Sequence, residues 1–355
     1  MDVTSTMTMI HLSTIVDWTQ TAIVRIEWSW KQINWSYSEI LHLVSAVVGI
    51  IGNFLVIQVL NRRRAAESRS TDTLIGALAV ADFLTSIFII PLPSAAIVPT
   101  THLGKLYCKM TLPGFFLFVS FTSSIYILTT ISVERFLAIA YPLRFNQLMA
   151  RKRILVIVIS MIWITSIVVY VIFIATTVSI DPVKHTCILS FSSPAWKAVY
   201  GYFMFSFRLL FPCIIMLVTQ VAIVRALQRS SVRFKGQMAV SFHVKARNRV
   251  LKLMLVVIII YVLTWGPGQV SFFLFTIGVL PPSYIGSTLH TSIILLTTLN
   301  SCMNPVIYIA WFREFRVALK QMFSCQKRGD SSPVFDNVPE STTATSTTQR
   351  SDSNI

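Results

Sequence analysis

From about residue 38 onward the chain alternates long apolar runs with short polar or basic stretches. Seven apolar runs stand out, at about 39–61, 73–98, 108–140, 153–176, 197–227, 250–277 and 285–310. Each is near the ~20 residues that an α-helix needs to cross a bilayer core. The pattern predicts an all-α membrane protein, a seven-transmembrane helix bundle. After the last run, Trp311, Phe312, Phe315, Leu319, Met322 and Phe323 fall on one helical face, with Arg313, Arg316 and Lys320 off it. That spacing predicts a short amphipathic helix lying on an anionic leaflet. The bundle with this helix occupies 38–325, preceded by an N-terminal segment (1–37) and followed by a Ser/Thr-rich tail (326–355) of disorder-prone composition.

The polar stretches orient the bundle. Arg62-Arg63-Arg64, Arg151-Lys152-Arg153 and the segment Arg225 to Lys252 are basic, whereas the alternate loops carry little beyond Lys105, Lys109 and Lys184. Lysine and arginine accumulate on the cytoplasmic side, so the N-terminus is outside and the C-terminus inside. Residues 1–37 lack the pattern of a cleaved signal peptide, which leaves the first span as the targeting signal.

Composition agrees with this reading. Only 12% of the 355 residues are charged and 54% are hydrophobic, and the mean hydropathy is +0.68. A net charge of +16 could suggest nucleic-acid binding, but the basic residues lie in short blocks between spans, as membrane topology requires. Five cysteines are too few and too scattered for a disulfide scaffold or zinc site. No phosphate loop or metal-spaced His/Cys cluster points to an enzyme. A membrane transporter is the alternative from a different class; transporters tend to show repeated halves, and no repeat is seen between the first three spans and the last three.

Several residues contradict their apolar surroundings. Asp82 lies mid-span, where an acid must be paired, protonated or bound to a cation. Asn53, Ser124, Asn300 and Asn304 lie at similar depth, and this oxygen-rich set suits a hard cation such as sodium, or a water cluster. Glu134 and Arg135 sit side by side where the third span meets the cytoplasm. Pro212, Pro267 and Pro305 each remove a backbone donor inside a span and so mark candidate hinges, with Trp265 and Asn304 beside two of them. Arg208 is a cation deep in an outer half-span. It either snorkels, bonds the carbonyls loosened by Pro212, or anchors a carboxylate, phosphate or polar peptide group. Cys108 and Cys187 both face the oxidising side and can form a disulfide. Asn34 opens the sequon Asn34-Trp35-Ser36. Cys325 is either a palmitoylation site or a free thiol.

The ordered set Gly52-Asn53, Leu78-Ala79-Val80-Ala81-Asp82, Cys108, Glu134-Arg135-Phe136, Trp163, Cys187, Pro212, Trp265-Gly266-Pro267 and Asn304-Pro305-Val306-Ile307-Tyr308 resembles a rhodopsin-like G-protein-coupled receptor, most nearly its peptide-receptor branch. The resemblance implies a plasma-membrane receptor that binds an extracellular ligand and activates a heterotrimeric G protein by movement of the sixth span. It implies sodium held by Asp82, Ser124, Asn300 and Asn304, and no other cofactor. It makes Glu134, Arg135, Tyr308 and position 247 the inner switch. Trp265 becomes the pivot below a pocket walled by Leu117, Phe121, Arg208, Gln269, Phe272, His290 and Ile294. Receptor kinases and arrestin would act on the Ser/Thr tail, and Ser353-Asn354-Ile355 resembles a PDZ-binding terminus.

Departures from the family pattern shape the expectation. Leu117 stands where amine receptors carry an acid, which argues against an amine, and the seventh span has no lysine for a retinal Schiff base. A neuropeptide or peptide hormone is the favoured ligand, with a small anionic or lipid ligand anchored by Arg208 as the alternative. Tyr261 replaces the usual phenylalanine below Trp265, and Gln220 the usual tyrosine of the fifth span. Arg247 stands where some members have an acid that holds the arginine closed; repulsion between Arg247 and Arg135 predicts appreciable basal signalling.

Overall fold

The computed structural model describes residues 27–64, 70–112, 114–149, 152–233, 238–311 and 313–323. Among them, seven helices are long and apolar enough to cross a membrane. The first two are α1 (Tyr37–Arg64) and α2 (Ser70–Phe88). The third span comprises α3 (His102–Thr111) and α4 (Phe115–Ala140), and α5 (Pro142–Met149) follows on the inner side. The fourth span is α6 (Lys152–Thr177). The fifth is α7 (Pro194–Phe205) and α8 (Phe211–Arg233), joined through a π-helical turn at Ser206–Leu210. The sixth is α9 (Met238–Thr276), the seventh α10 (Thr288–Trp311), and α11 (Arg313–Phe323) is the short helix after it.

The bundle closes as a ring, with α1 against α2 and α10, and α9 against α8 and α10. Helix α4 is the central post, in contact with α2, α6 and α8. This is the layout a bilayer demands. Large apolar side chains such as Ile51 on α1, Ile157 on α6 and Val218 on α8 point outward, where lipid takes the place that the core holds in a soluble protein. Serines, threonines and the few charges turn inward, where other helices can satisfy them. Ser123, Ser301, Asn53 and Asp82 are all fully buried.

Two expectations are corrected. The second span ends at Phe88, about ten residues before the apolar run does. Pro91 and Pro93 cannot continue the helical ladder, and residues 94–97 form strand β2 (Ser94–Ile97) instead. The third span is interrupted near its outer end, where Gly114 takes a left-handed conformation (φ 59°) that glycine adopts without a Cβ penalty.

The outer face carries strands that apolar periodicity did not reveal. Strand β1 (Ser29–Lys31) pairs antiparallel with β2, and Trp28, Trp30 and Tyr107 pack ring against ring beside them. Strands β3 (Val178–Ile180) and β4 (Cys187–Leu189) form a second antiparallel pair. The disulfide Cys108–Cys187 fastens this hairpin to α3. On the inner side, Arg316 Nη1 donates to the carbonyls of Ile309 and Ala310 at 2.8 and 2.9 Å, closing the end of α10. Phe315 is buried beneath Tyr308, so α11 is anchored to the bundle by its apolar face.

Helix contacts are close where side chains are small. A Cβ built on Gly201 would meet Thr276 Oγ1 at 1.8 Å and its Cβ at 2.6 Å, so α7 and α9 touch with no room for a methyl group. Gly201→Ala is therefore expected to lower stability by about 1–3 kcal/mol through overpacking, read as a fall in the melting temperature of detergent-solubilised protein. An unchanged melting temperature would mean that the α7–α9 contact is looser than described.

Candidate functional site

The residues expected to form the inner switch lie where α2 meets α4. Glu134 and Arg135 end the buried stretch of α4, at 2% and 7% exposure. Arg135 Nε donates to Glu134 Oε2 at 2.8 Å. Ser70 and Thr71, in the first turn of α2, donate to Glu134 Oε1 at 2.7 and 2.9 Å. Taking two charges out of water is costly, and mutual attraction offsets that only when the remaining lone pairs are bonded. The two hydroxyls provide those bonds, and they hold the carboxylate in position to retain the arginine. Phe136, next along, packs with Ile223 and Leu227 of α8. Gln220 on α8 is buried, and its amide meets no hydrogen-bond partner among the described residues. The side chain of Arg247 lies outside the described residues, as do Cys325 and the tail.

One layer deeper, Asp82 accepts from Ser124 Oγ at 2.7 Å and from Asn304 Nδ2 at 2.7 Å. The acid thus ties α2 to α4 and α10. Asn300, grouped with it from sequence, instead meets Thr264 Oγ1 of α9 at 3.4 Å. The buried Ser301 hydroxyl of α10 faces Asp82, and the Ser123 hydroxyl of α4 is buried without a partner among the described residues. One carboxylate with neutral oxygens around it fits a hard monovalent cation better than a transition metal.

Two of the three prolines are bonded in a common way. Pro212 has no N–H, so the carbonyls of Phe207 and Arg208 lose donors in this π-then-α stretch. Tyr126 of α4 donates to the Phe207 carbonyl at 2.7 Å, and Tyr261 of α9 donates to that of Arg208. Pro305 likewise releases the carbonyl of Ser301, and Asn53 Nδ2 of α1 donates to it at 3.0 Å while holding Gly49 O at 2.9 Å. Two proline breaks are thus fastened to neighbouring helices. At Pro267 no side chain of another helix reaches the Leu263 carbonyl among the described residues, so the break in α9 is the unfastened one. Tyr126 carried no signal beyond being a tyrosine in an apolar span, and Tyr261 stood out only as a replacement of the usual phenylalanine, with no hint of the carbonyl it meets. Ser70 and Thr71 carried none at all, because only the fold brings them to Glu134.

The predicted pocket residues divide into groups. Trp265 is fully buried and stacks on Phe121, with ring centroids 3.9 Å apart. Arg208 lies over the opposite side of this cluster, 4.7 Å from the Trp265 ring, and Gln269 is buried one turn further along α9. Phe272 meets Tyr200 edge to face higher up. Leu117 and Ile294 line a separate outer cavity of about 370 Å³, walled by Glu39 and His42 of α1 and roofed by residues 31–34. His290 is outside both groups: its Nδ1 accepts from the Gly286 N–H at 3.2 Å, at the entrance to α10. Asp181 accepts from the backbone N–H groups of Val183 and Lys184, which hold its carboxyl below the usual range. It shapes the hairpin turn. Asn34 is exposed at the roof of the outer cavity.

The hydroxyl of Tyr261 joins α9 to α8 at the break before Pro212. Tyr261→Phe is expected to leave a buried carbonyl unbonded, at about 1–3 kcal/mol, and to ease the separation of the two helices. The check is a lower melting temperature together with faster ligand-free nucleotide exchange on a G protein. No change in either would show that the bond carries no restraint.

The description "7 transmembrane receptor (rhodopsin family)" matches residues 52–308. Among curated relatives, galanin receptor 2a of Danio rerio is 28% identical over 287 residues, covering 79% of this chain and 76% of the relative. Galanin receptor type 1 of Homo sapiens is 28% identical over 294 residues, covering 80% of each. The allatostatin-A receptor of Bombyx mori is 26% identical over 314 residues, covering 85% of this chain and 82% of the relative. The family match takes in α1 from Gly52 through the Asn304–Tyr308 motif, and with it the Asp82 layer, the Glu134–Arg135 switch and all three proline breaks. With seven spans carrying these sites in order, the chain belongs to the rhodopsin family of seven-transmembrane receptors.

Proposed function

We propose that this receptor answers an extracellular peptide and transmits the signal to a heterotrimeric G protein by outward movement of the inner half of α9. The observation that carries the reading is the outer cavity, about 370 Å³, reached beneath a rim of strands and lined at depth by Leu117 where an amine receptor would carry an acid. A cavity with backbone and amide groups of residues 31–34 along its roof offers an extended chain the hydrogen bonds it needs. The names of the relatives, receptors for galanin and allatostatin-A, support the same ligand class.

Transmission follows from the welds. The fastened breaks at Pro212 and Pro305 hold α8 and α10 to their neighbours, so a push on Trp265 from above is best relieved at Pro267. Swinging α9 breaks the Tyr261 bond and opens the inner face beside Arg135. The guanidinium, once released from Glu134, is placed to meet the G protein. Asp82, with Ser124, Asn300 and Asn304, holds a sodium ion in the resting packing, and Asp82→Asn removes the effect of sodium on agonist affinity. The Ser/Thr tail supplies sites for receptor kinases and, once phosphorylated, arrestin. The basic inner loops and α11 rest on anionic lipid.

The direct test is a screen of peptide libraries on cells expressing the receptor, read as nucleotide exchange on several G-protein subtypes. Peptide-dependent exchange is expected. Substrate flux without any G protein would overturn the reading. A second test addresses position 247. Arg247 repels Arg135 and weakens the resting state, so Arg247→Glu is expected to lower ligand-free exchange. A wild-type rate no higher than that of the variant contradicts it.

A further inference from the structure

Arg208 is an arginine inside a bundle with no acid to meet it. It is 6% exposed, and among the described residues no carboxylate lies within ion-pair reach of its guanidinium. Three aromatic rings surround it, with centroids at 4.7 Å (Trp265), 4.8 Å (Phe118) and 5.6 Å (Tyr170). Their faces attract a cation but accept no conventional hydrogen bond. Its Nε and Nη2 are buried without partners.

The two simpler roles for this side chain do not fit. It does not snorkel, because its head is buried against Trp265 rather than drawn towards water. It does not bond the carbonyls that Pro212 loosens, because Tyr126 and Tyr261 already do so. Nε and Nη2 lie along one edge of the planar guanidinium, as the parallel pair that grips the two oxygens of a carboxylate. Trp265 Nε1 is also buried without a partner, and the buried Tyr170 and Thr122 hydroxyls lie against each other and reach no other polar group among the described residues. All of these groups can donate. Gln269 Oε1, one turn along α9 from Trp265, is a buried carbonyl acceptor that has no partner among the described residues. A cluster of donors around one fixed positive charge is the complement of a small monovalent anion.

We propose that Arg208, Trp265, Tyr170 and Thr122 form an anion site beside the pivot of α9, taking the carboxylate of an activating ligand or a free small anion. For its signalling role the site rests on the receptor reading above; its occupancy does not. An anion bound there replaces the aromatic faces as the partner of Arg208. It bonds Trp265 directly, which couples occupancy to the helix that must move.

The test uses the purified full-length receptor in detergent. Melting temperatures are compared in sodium formate, sodium chloride and sodium methanesulfonate at equal ionic strength, for the wild type and Arg208→Met. A saturable rise with formate in the wild type, absent in Arg208→Met, is expected, and it identifies the occupant as a carboxylate. A saturable, Arg208-dependent rise with chloride alone would support the site and assign it to a free inorganic anion. In methanesulfonate, Arg208→Met is expected to be at least as stable as the wild type, since it removes an unpaired buried charge. No saturable rise with either anion, the same rise in Arg208→Met, or an Arg208→Met protein less stable in every anion would overturn the proposal. These measurements need no G protein, so their failure leaves the receptor reading standing, and a failure to find nucleotide exchange leaves the anion site standing.

Discussion

Inside a bilayer there is no water to repair a broken hydrogen bond, so the backbone polar groups must find their partners in the protein. The three proline breaks show how far that constraint reaches. Each proline withdraws a donor in the middle of a span. At Pro212 the loss is met from α4 by Tyr126 and from α9 by Tyr261, and at Pro305 from α1 by Asn53. Satisfying the backbone therefore fastens helix to helix. The break at Pro267 lacks such a fastening among the described residues, and α9 meets α8 through Tyr261 at the level where it would pivot. The proposed movement of α9 depends on which carbonyls are bonded across helices and which are not.

The same constraint arranges the charged groups. Asp82 and Glu134 are each buried, and each is held by two neutral side chains or more from other helices or the helix ends. Both lie on the faces that α2 and α4 share. A polar seam thus runs down the centre of the bundle, from Trp265 past Asp82 to Arg135. Such seams support two packings better than an apolar core does, because each polar group can exchange one partner for another. Arg208 stands at the upper end of the seam and Arg135 at the lower. Among the described residues the first meets no carboxylate, whereas the second is paired with Glu134.

Much of this was legible in the sequence, for a physical reason. Apolar length and basic flanks are local properties, so the seven spans, their direction and the amphipathic helix α11 could be read directly. The early end of α2 could have been read from Pro91 and Pro93, but a continuing apolar run masked them. Strands β1 and β2 are short and pair across more than sixty residues, so no local pattern announced them. Asp82 and Arg135 declared themselves by being charges in apolar surroundings. Their partners Ser70, Thr71 and Ser124 are ordinary polar residues, and only Ser124 lay at a depth that invited notice. Tyr126 was invisible, and Tyr261 was noticed as a departure without its role. A tyrosine in a span reads as apolar bulk until the fold shows which carbonyl its hydroxyl meets. The predicted pocket was only partly one place, since Leu117 and Ile294 open onto the outer cavity whereas Phe121 and Arg208 close around Trp265.

The claim that gathers these observations is that Glu134, fixed by Ser70 and Thr71, restrains Arg135 from its signalling position. The most direct measurement is ligand-free nucleotide exchange on a heterotrimeric G protein by purified receptor in lipid nanodiscs, comparing wild type, Glu134→Gln and Arg135→Ala at equal receptor density. The account predicts faster exchange for Glu134→Gln, which frees the guanidinium, and exchange at the receptor-free rate for Arg135→Ala. Glu134→Gln no faster than wild type, or Arg135→Ala as active as wild type, would contradict it.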